Sequence, residues 1–294
     1  MKKTKIGMAL LVTGLALSFN SSAQGIYFGV GGGYGFAAGK QDFPTGADVT
    51  ATTSGAPAIT TTTYTSRSYS FGKGINLGLY GGFMFNKNVG AELGIAYLIG
   101  GSSVGTSNQT ASAPGFGSSD VTTTTVKGSM LRLVPGIRVQ VGEGKMHPYA
   151  TAGLIIGVAG KATMEQNEVK SATGSPTNTT DMIVTYTGGT AMGMHASLGV
   201  NYMVSGKLGI FGEVSANLQS ASPSKSMVTT NTVNGTDQIP KMTTSQIETD
   251  YSSSYTTTSN AAASPGTPSQ ASSSRTPFSS IGFNIGVHIS LGGK

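Results

Sequence analysis

The sequence predicts an all-β protein: an eight-stranded antiparallel up-and-down transmembrane β-barrel with four long extracellular loops. Three observations support this prediction: segments in which apolar and polar residues alternate, connections that alternate between short and long, and an amino-terminal secretion signal. The clearest segment runs from Ile281 to Leu291. Every second residue there is apolar and the others are Gly, polar or ionisable, which is typical of a strand with one apolar face.

Residues 1–23 are predicted to be a signal peptide. Three lysines form a basic start, a mostly apolar run follows from Ile6 to Phe19, and small residues end the segment. The apolar run is shorter than the roughly 20 residues that a membrane-spanning helix needs, which disfavours the alternative of an anchor helix. Residues 24–294 would then form a single β-barrel domain.

The composition favours a membrane wall over a soluble domain. Charged residues make up 10% of the chain, whereas a soluble domain usually carries about 25%. The chain contains no Cys, which excludes disulfides, thiolate chemistry and a lipoprotein anchor. Three of the basic residues lie in the predicted signal, and no cluster of basic and aromatic residues supports nucleic-acid binding.

Short and long connections separate the predicted strands. The strands cover residues 25–37, 70–85, 88–99, 126–141, 147–159, 187–203, 207–219 and 279–291. Short turns at 86–88, 142–145 and 205–207 alternate with long segments near 38–69, 100–125, 160–186 and 220–278. This alternation is typical of outer-membrane barrels, and an even strand count places both termini in the periplasm. We expect the last long segment to be mobile, because it has few large apolar residues to pack.

The distribution of charge over the strand faces separates a membrane barrel from a soluble one. The apolar faces carry no charge near their middles, where a charge would cost about 2–4 kcal/mol in a membrane. Lys73 and Lys127 share the apolar parity but lie near the outer strand ends, where their long side chains can reach the headgroups. A soluble lipocalin-like barrel would carry its charges along the outer face. Pro135 cannot donate to the ladder and predicts a bulge or a shorter strand.

The polar faces are predicted to fill the lumen, because eight strands leave an interior just wide enough for side chains. The interior polar network is predicted to consist of Glu92, Arg132, Arg138, His195, Glu213, Asn284 and His288, with Asn217 beside them. Buried charges need partners. We therefore expect Glu92 to pair with Arg138, or with Arg132 if the strand stagger differs. A polar plug that stiffens the barrel is the simpler interpretation, and a narrow gated channel is the alternative.

The eight-strand plan resembles the small OmpA/OmpX-type bacterial outer-membrane β-barrel family over nearly all of the mature chain. The closing strand resembles the insertion signal of these barrels, with Asn284, Gly286, Ile289 and Leu291 at the matching positions. The resemblance implies that the outer-membrane assembly machinery reads this strand, and that outer-membrane lipids and lipopolysaccharide surround the protein. The family usually ends on an aromatic residue, whereas here residues 292–294 follow Leu291.

The predicted function is a structural or surface-interaction role for a monomer, without catalysis, cofactor or metal. The alternative is a small porin-like channel or a conduit for apolar solutes. His195, Ser197 and Glu213 resemble the His-x-Ser plus Glu set of outer-membrane lipid A deacylases. In the predicted register, however, His195 and Ser197 face the lumen while lipid acyl chains lie outside. Three scattered His and no Cys make a poor metal site.

Overall fold

The computed structural model describes residues 25–42, 48–54, 59–65, 68–113, 115–256 and 266–291, and these residues form mostly β-structure. The strands are β1 (Gly25–Ala37), β2 (Gln41–Asp42), β3 (Asp48–Ser54), β4 (Ile59–Thr65), β5 (Ser68–Tyr69), β6 (Gly74–Met84), β7 (Val89–Gly100), β8 (Ser103–Ala113), β9 (Phe116–Gln140), β10 (Met146–Ala172), β11 (Ser175–Thr187), β12 (Thr190–Met203), β13 (Leu208–Ser222), β14 (Lys225–Val233), β15 (Thr236–Asp237), β16 (Glu248–Ser252), β17 (Ser269–Ser272), β18 (Thr276–Pro277) and β19 (Ser280–Ser290). A 3₁₀ turn covers Ile239–Lys241 and a short helix, α1, covers Thr244–Ile247. The predicted signal peptide lies outside the described residues.

A ring of antiparallel pairings passes through eight long strands. Its order is β1, β6, β7, β9, β10, β12, β13 and β19, and β19 pairs again with β1. The joint between the first and last strands extends from Tyr27↔Ser290 to Ala37↔Ser280. Each strand of the ring overlaps one of the eight strands that the sequence predicts.

Three short turns lie at one end of the ring, which we call the short-turn end. Asn86 Oδ1 accepts two backbone N–H groups across the turn after β6, and Ser205 Oγ does the same after β12. Gly142 and Gly144 adopt φ values of 104° and 82° after β9, a region that glycine tolerates without steric cost. Local side-chain acceptors and glycine therefore close these turns, as the sequence predicted.

The opposite end, which we call the long-hairpin end, differs from the prediction of long loops. β9 and β10 stay paired with each other far beyond the ring. There β8 pairs with β9 and β11 pairs with β10, which forms two long hairpins. These extensions are rich in Thr, which favours strands. Because Thr and Ser occupy both faces there, no apolar alternation marks the extensions in the sequence.

The segment at 220–278 is also more ordered than predicted. β14 pairs with β11 and β16 pairs with β14, and Tyr251 Oη lies 3.1 Å from Ser226 Oγ. The expectation of a mobile, unpacked segment is therefore wrong for its part up to Ser252. Backbone ladders hold this part in place without a large apolar core.

Pro135 neither bulges nor shortens its strand, so that prediction is wrong. Leu93 pairs with Pro135 on the β7 side, and β9 runs through it without a break. On the β10 side the ladder skips two positions and resumes in the same register at Ile156↔Leu133. The missing N–H thus costs one local interruption, and the register shift falls instead between Gly157 and Ala159.

The outer face of the ring is apolar, whereas the buried arginines lie on its inner face. Phe283, Ile285 and Leu198 are 60%, 73% and 70% exposed on the outside, whereas Arg132 and Arg138 are only 2% and 1% exposed inside. This is the reverse of a soluble barrel. In the part of the chain that the structure describes, no helix is long and apolar enough to span a membrane.

The main apolar cluster lies inside the ring toward the long-hairpin end. Phe71, Leu98, Met130 and Phe278 form its centre and are each at most 5% exposed. The rings of Phe71 and Phe278 stack with centroids 5.2 Å apart. The lumen is thus divided into an apolar part near the long hairpins and a polar part nearer the short turns.

Candidate functional site: the polar network in the lumen

Glu92 and Arg138 form a buried ion pair inside the ring. Arg138 Nη1 donates to Glu92 Oε2 at 3.0 Å, and Tyr27 Oη donates to the same oxygen at 3.0 Å. The two charged side chains are 1% and 13% exposed. They meet because β7 and β9 are neighbours and place Arg138 opposite Gly90, two residues from Glu92.

The guanidinium group of Arg138 also lies on aromatic rings. Its central carbon is 3.6 Å from the centroid of the Tyr149 ring and 5.1 Å from that of Tyr27. A cation within about 6 Å of a ring face is attracted by the ring quadrupole, and more strongly when water is excluded. Arg138 therefore has an ionic partner at its edge and an aromatic partner at its face.

The network continues from Tyr149 to the far side of the ring. Tyr149 Oη donates to Glu213 Oε2 at 2.9 Å, and Asn284 Nδ2 donates to Glu213 Oε1 at 2.9 Å and to Ser215 Oγ at 3.0 Å. We call the chain of contacts from Glu92 through Arg138, Tyr149 and Glu213 to Asn284 the lumen plug. It joins β7, β9, β10, β13 and β19, so it crosses the interior from wall to wall.

Tyr80 and His288 complete the wall of the plug beside β1. Tyr80 Oη lies 3.3 Å from His288 Nδ1, and the His288 ring is tilted against Tyr27 with centroids 5.4 Å apart. Tyr80 also packs edge-on against Phe211 at 5.6 Å. These contacts fill the space between the polar chain and the first strands of the ring.

Each aromatic side chain of this region lies across a glycine on the neighbouring strand. A Cβ atom added at any of these glycines would overlap or crowd the ring. The pairs are Tyr27 with Gly82, Tyr80 with Gly29, Phe211 with Gly286, and Tyr149 with Gly199. The glycines provide the room that lets large rings lie flat inside a narrow ring of strands.

The remaining members of the predicted network lie nearer the long hairpins. His195 Nδ1 is 2.8 Å from Asn217 Oδ1. Arg132 donates from Nη2 to the backbone oxygen of Phe278 at 3.2 Å and from Nη1 to Asn76 Oδ1 at 3.4 Å. The alternative pairing of Arg132 with Glu92 is therefore not the one that the structure contains.

The three residues that resemble a deacylase set are not connected as a catalytic relay. His195 is engaged by Asn217, and Glu213 is engaged by Tyr149 and Asn284. Ser197 Oγ is buried and makes no hydrogen bond to any described residue. A nucleophile needs a base within reach, and no hydrogen bond joins this serine to the histidine. Among the described residues, no cluster of three His, Asp or Glu could hold a metal ion.

The residues of the proposed insertion signal divide between the two faces of β19. Ile289 and Leu291 are 43% and 58% exposed on the outer face. Asn284 belongs to the lumen plug, and Gly286 faces inward against Phe211. Two of the four positions therefore have a packing role inside the ring, in addition to any role in the insertion signal.

The aromatic half of the plug was not predicted from the sequence. Tyr80 shares the parity of Asn76 on its strand and Tyr149 that of His147 and Thr151, which was an available signal, whereas Tyr27 shares its parity on β1 mainly with glycines. The interior groups predicted from the sequence were only charged residues, amides and histidines. The glycines opposite these tyrosines on the neighbouring strands were a further signal that the rings point inward, since glycine in a strand often marks a close approach.

A family model described as the outer membrane protein beta-barrel domain matches residues 7–252 of the chain. The match covers most of the ring, although β19, which pairs with β1, lies beyond it. A search of curated proteins finds no match to this chain.

Proposed function

Because this chain belongs to the outer membrane protein beta-barrel domain family, we propose that it is an eight-stranded outer-membrane barrel with a filled lumen. Its role is structural and surface-presenting, without transport of ions and without catalysis. The lumen plug is the observation that carries this proposal. Its side chains reach from β7 to β19, and each of its charged groups is bound within the plug, Glu92 to Arg138 and Glu213 to Tyr149 and Asn284.

The charges inside the barrel favour a permanent plug over a gate. Glu92 pairs with the almost fully buried Arg138, and Glu213 is held by hydrogen bonds from Tyr149 and Asn284. Separating a buried pair exposes an uncompensated charge, which costs about 3–5 kcal/mol. An ion that passed through would have to break such contacts, so we expect the closed arrangement to dominate.

We expect the wild-type protein to be electrically silent in planar lipid bilayers. A variant that truncates Glu92, Arg138 and Tyr149 together to Ala removes the centre of the plug and should conduct. Truncating three outward residues, Leu79, Ile137 and Leu198, to Ala is the matched control and should stay silent. Sustained currents from the wild-type protein would contradict the proposal and support the porin-like alternative.

We propose that the short-turn end and both termini face the periplasm, after removal of residues 1–23 as a signal peptide. Short periplasmic turns and long extracellular connections are the rule for bacterial outer-membrane barrels. The long hairpins, rich in Thr and Ser, then present the recognition surface outside the cell. Exposed Lys73, Lys127 and Lys161 lie where the apolar outer face ends toward these hairpins, a position suited to lipopolysaccharide phosphates.

Single cysteines test this orientation, because the chain has none of its own. Lys241→Cys, at the long-hairpin end, should react with a membrane-impermeant maleimide on intact cells. Lys207→Cys, in a short turn, should react only after the outer membrane is made permeable. Both lysines are exposed, so accessibility within the protein does not favour either. The reverse labelling pattern would contradict the orientation.

We further propose that the barrel acts as a monomer that the outer-membrane assembly machinery inserts through its closing strand. Its eight long strands pair in a ring in which β19 returns to β1, an arrangement that suits a single chain. The absence of a catalytic relay around Ser197 supports a non-enzymatic role. Release of acyl chains from lipid A by the purified protein, lost in Ser197→Ala, would contradict that role.

A further inference from the structure

The wall of the barrel has a gap where β11 ends and β12 begins. Both strands pair with the same edge of β10, one after the other. β10 pairs with β11 down to Lys161↔Thr187 and with β12 from Gly157↔Ala191 onward. The register is the same on both sides, but no pairing joins residues 158–160 to residues 188–190. We call this interruption the wall window.

Backbone distortions on both sides hold the wall window open. Gly188 and Gly189 have φ values of 69° and 81°, and a Cβ atom on Gly189 would overlap the backbone oxygen of Ser222. This side of the window therefore lies close against β13, while its pairing with β10 is interrupted. On the other side, the register shift at Val158 displaces β10 relative to β9. Only glycine adopts such φ values freely, so the kink is built into the sequence.

A cavity of about 450 Å³ lies directly behind the wall window. Residues 157–161 and 187–189 line it, together with apolar side chains that include Phe71, Met130 and Phe278. Small-molecule sites usually measure about 300–1,000 Å³ and are mostly apolar with a few polar groups. Tyr186 also lines this cavity, and burial raises its pKa to about 12, so its hydroxyl remains a neutral hydrogen-bonding group.

The wall window lies where the lipid-facing surface ends. Just below it, Leu154 and Met192 are 53% and 65% exposed on the outer face, and Val158 at its edge is 49% exposed. Just above it, Lys161 is exposed and pairs with Thr187. The opening is therefore continuous with the apolar belt on one side and with a cationic headgroup-level residue on the other.

We propose that the cavity binds one alkyl chain of a membrane amphiphile, which enters from the outer leaflet through the wall window. The headgroup stays outside at the level of Lys161, and the chain packs against Met130, Met164 and Phe278. Arg132 holds the backbone oxygen of Phe278 at 3.2 Å, and the lumen plug lies below. The site therefore holds the chain and does not pass it through the barrel. This binding function goes beyond the structural role and does not depend on it.

Photo-crosslinking in proteoliposomes tests the proposal. The probe is a phosphatidylcholine that carries a diazirine near the end of one acyl chain, and peptide mass spectrometry maps the products. We expect crosslinks at inward Met130 and Met164 as well as at outward Met192 and Met194, which lipid contacts in any case. Ala162→Phe fills the cavity from β10 and should reduce the inward crosslinks at least about fivefold, because a packed interior has no spare volume.

Ala152→Phe, on the outer face of the same strand, is the matched control and should leave all crosslinks unchanged. Ala221→Phe fills the cavity from β13 and gives a second test if Ala162→Phe does not fold, as judged by heat-modifiable gel mobility. Crosslinks confined to outward residues in the wild type would overturn the proposal. Inward crosslinks that form only with a free diazirine fatty acid added from water would also overturn it, since the chain would then not come from the leaflet.

Discussion

Arg138→Met is expected to lower the free energy of unfolding by about 3–5 kcal/mol, because it leaves the carboxylate of Glu92 buried without its cation. Met keeps an unbranched apolar stem of similar length, so the loss is mainly electrostatic. The substitution removes the 3.0 Å ion pair with Glu92 and the guanidinium group 3.6 Å from the Tyr149 ring centroid. Urea unfolding of the detergent-folded protein, followed by circular dichroism, measures the change.

Two further variants separate the ion pair from general damage. Arg275→Met changes an exposed arginine and should alter stability by no more than about 0.5 kcal/mol. The double variant Glu92→Gln with Arg138→Met should cost less than the two single changes together, by a coupling of about 0.5–3 kcal/mol. If Arg138→Met were no more harmful than Arg275→Met, the ion pair would not stabilise the barrel.

Much of the ring could be predicted because lipid and lumen impose opposite demands on successive residues. The alternation in β19, from Ile281 to Ser290, indicates its outer face directly. The depth of Glu92 and Arg138 on adjacent strands predicted a contact between them, which the structure contains at 3.0 Å. Inward tyrosines escaped prediction because aromatic side chains suit both faces of such a wall, and the residues that share their parity must be read together with the glycines opposite them to distinguish the two.

The wall window could not be predicted from alternation. The alternation predicts one continuous strand at 187–203, and the structure divides it at Gly188 and Gly189. A pair of glycines inside a strand is compatible with a straight ladder or with a kink. Here Gly188 lies so close to Ser224, and Gly189 so close to Ser222, that neither position has room for a Cβ atom, and the alternation does not reveal these approaches. Pro135 shows that a strong local signal can mislead. Proline predicts a break in the strand, yet the register of the β9–β10 ladder is the same on both sides of Pro135 and shifts instead at Val158, which carries no such signal.

Gly199→Val is expected to destabilise the barrel by about 3 kcal/mol, through overpacking and the loss of a hydrogen bond to a charged group. A Cβ atom at Gly199 would lie 2.6 Å from Tyr149 Cζ and 2.8 Å from Glu213 Cβ, closer than carbon atoms can approach. The tyrosine must then move away from Arg138 and release Glu213 Oε2, which it now contacts at 2.9 Å. One added side chain on the wall should therefore open the lumen plug at its centre.

Gly212→Val is the matched control, because Gly212 lies in β13 beside Glu213 and a Cβ atom there meets nothing within 4 Å. Valine also favours strands, so this control should be as stable as the wild type or slightly more stable. The two variants add the same side chain at neighbouring places in the wall, one facing inward and one outward. Equal unfolding midpoints in urea would mean that the packing of Tyr149 on Gly199 does not hold the plug together. A loss confined to Gly199→Val, accompanied by ion currents in bilayers, would connect this glycine to both the stability and the silence of the barrel.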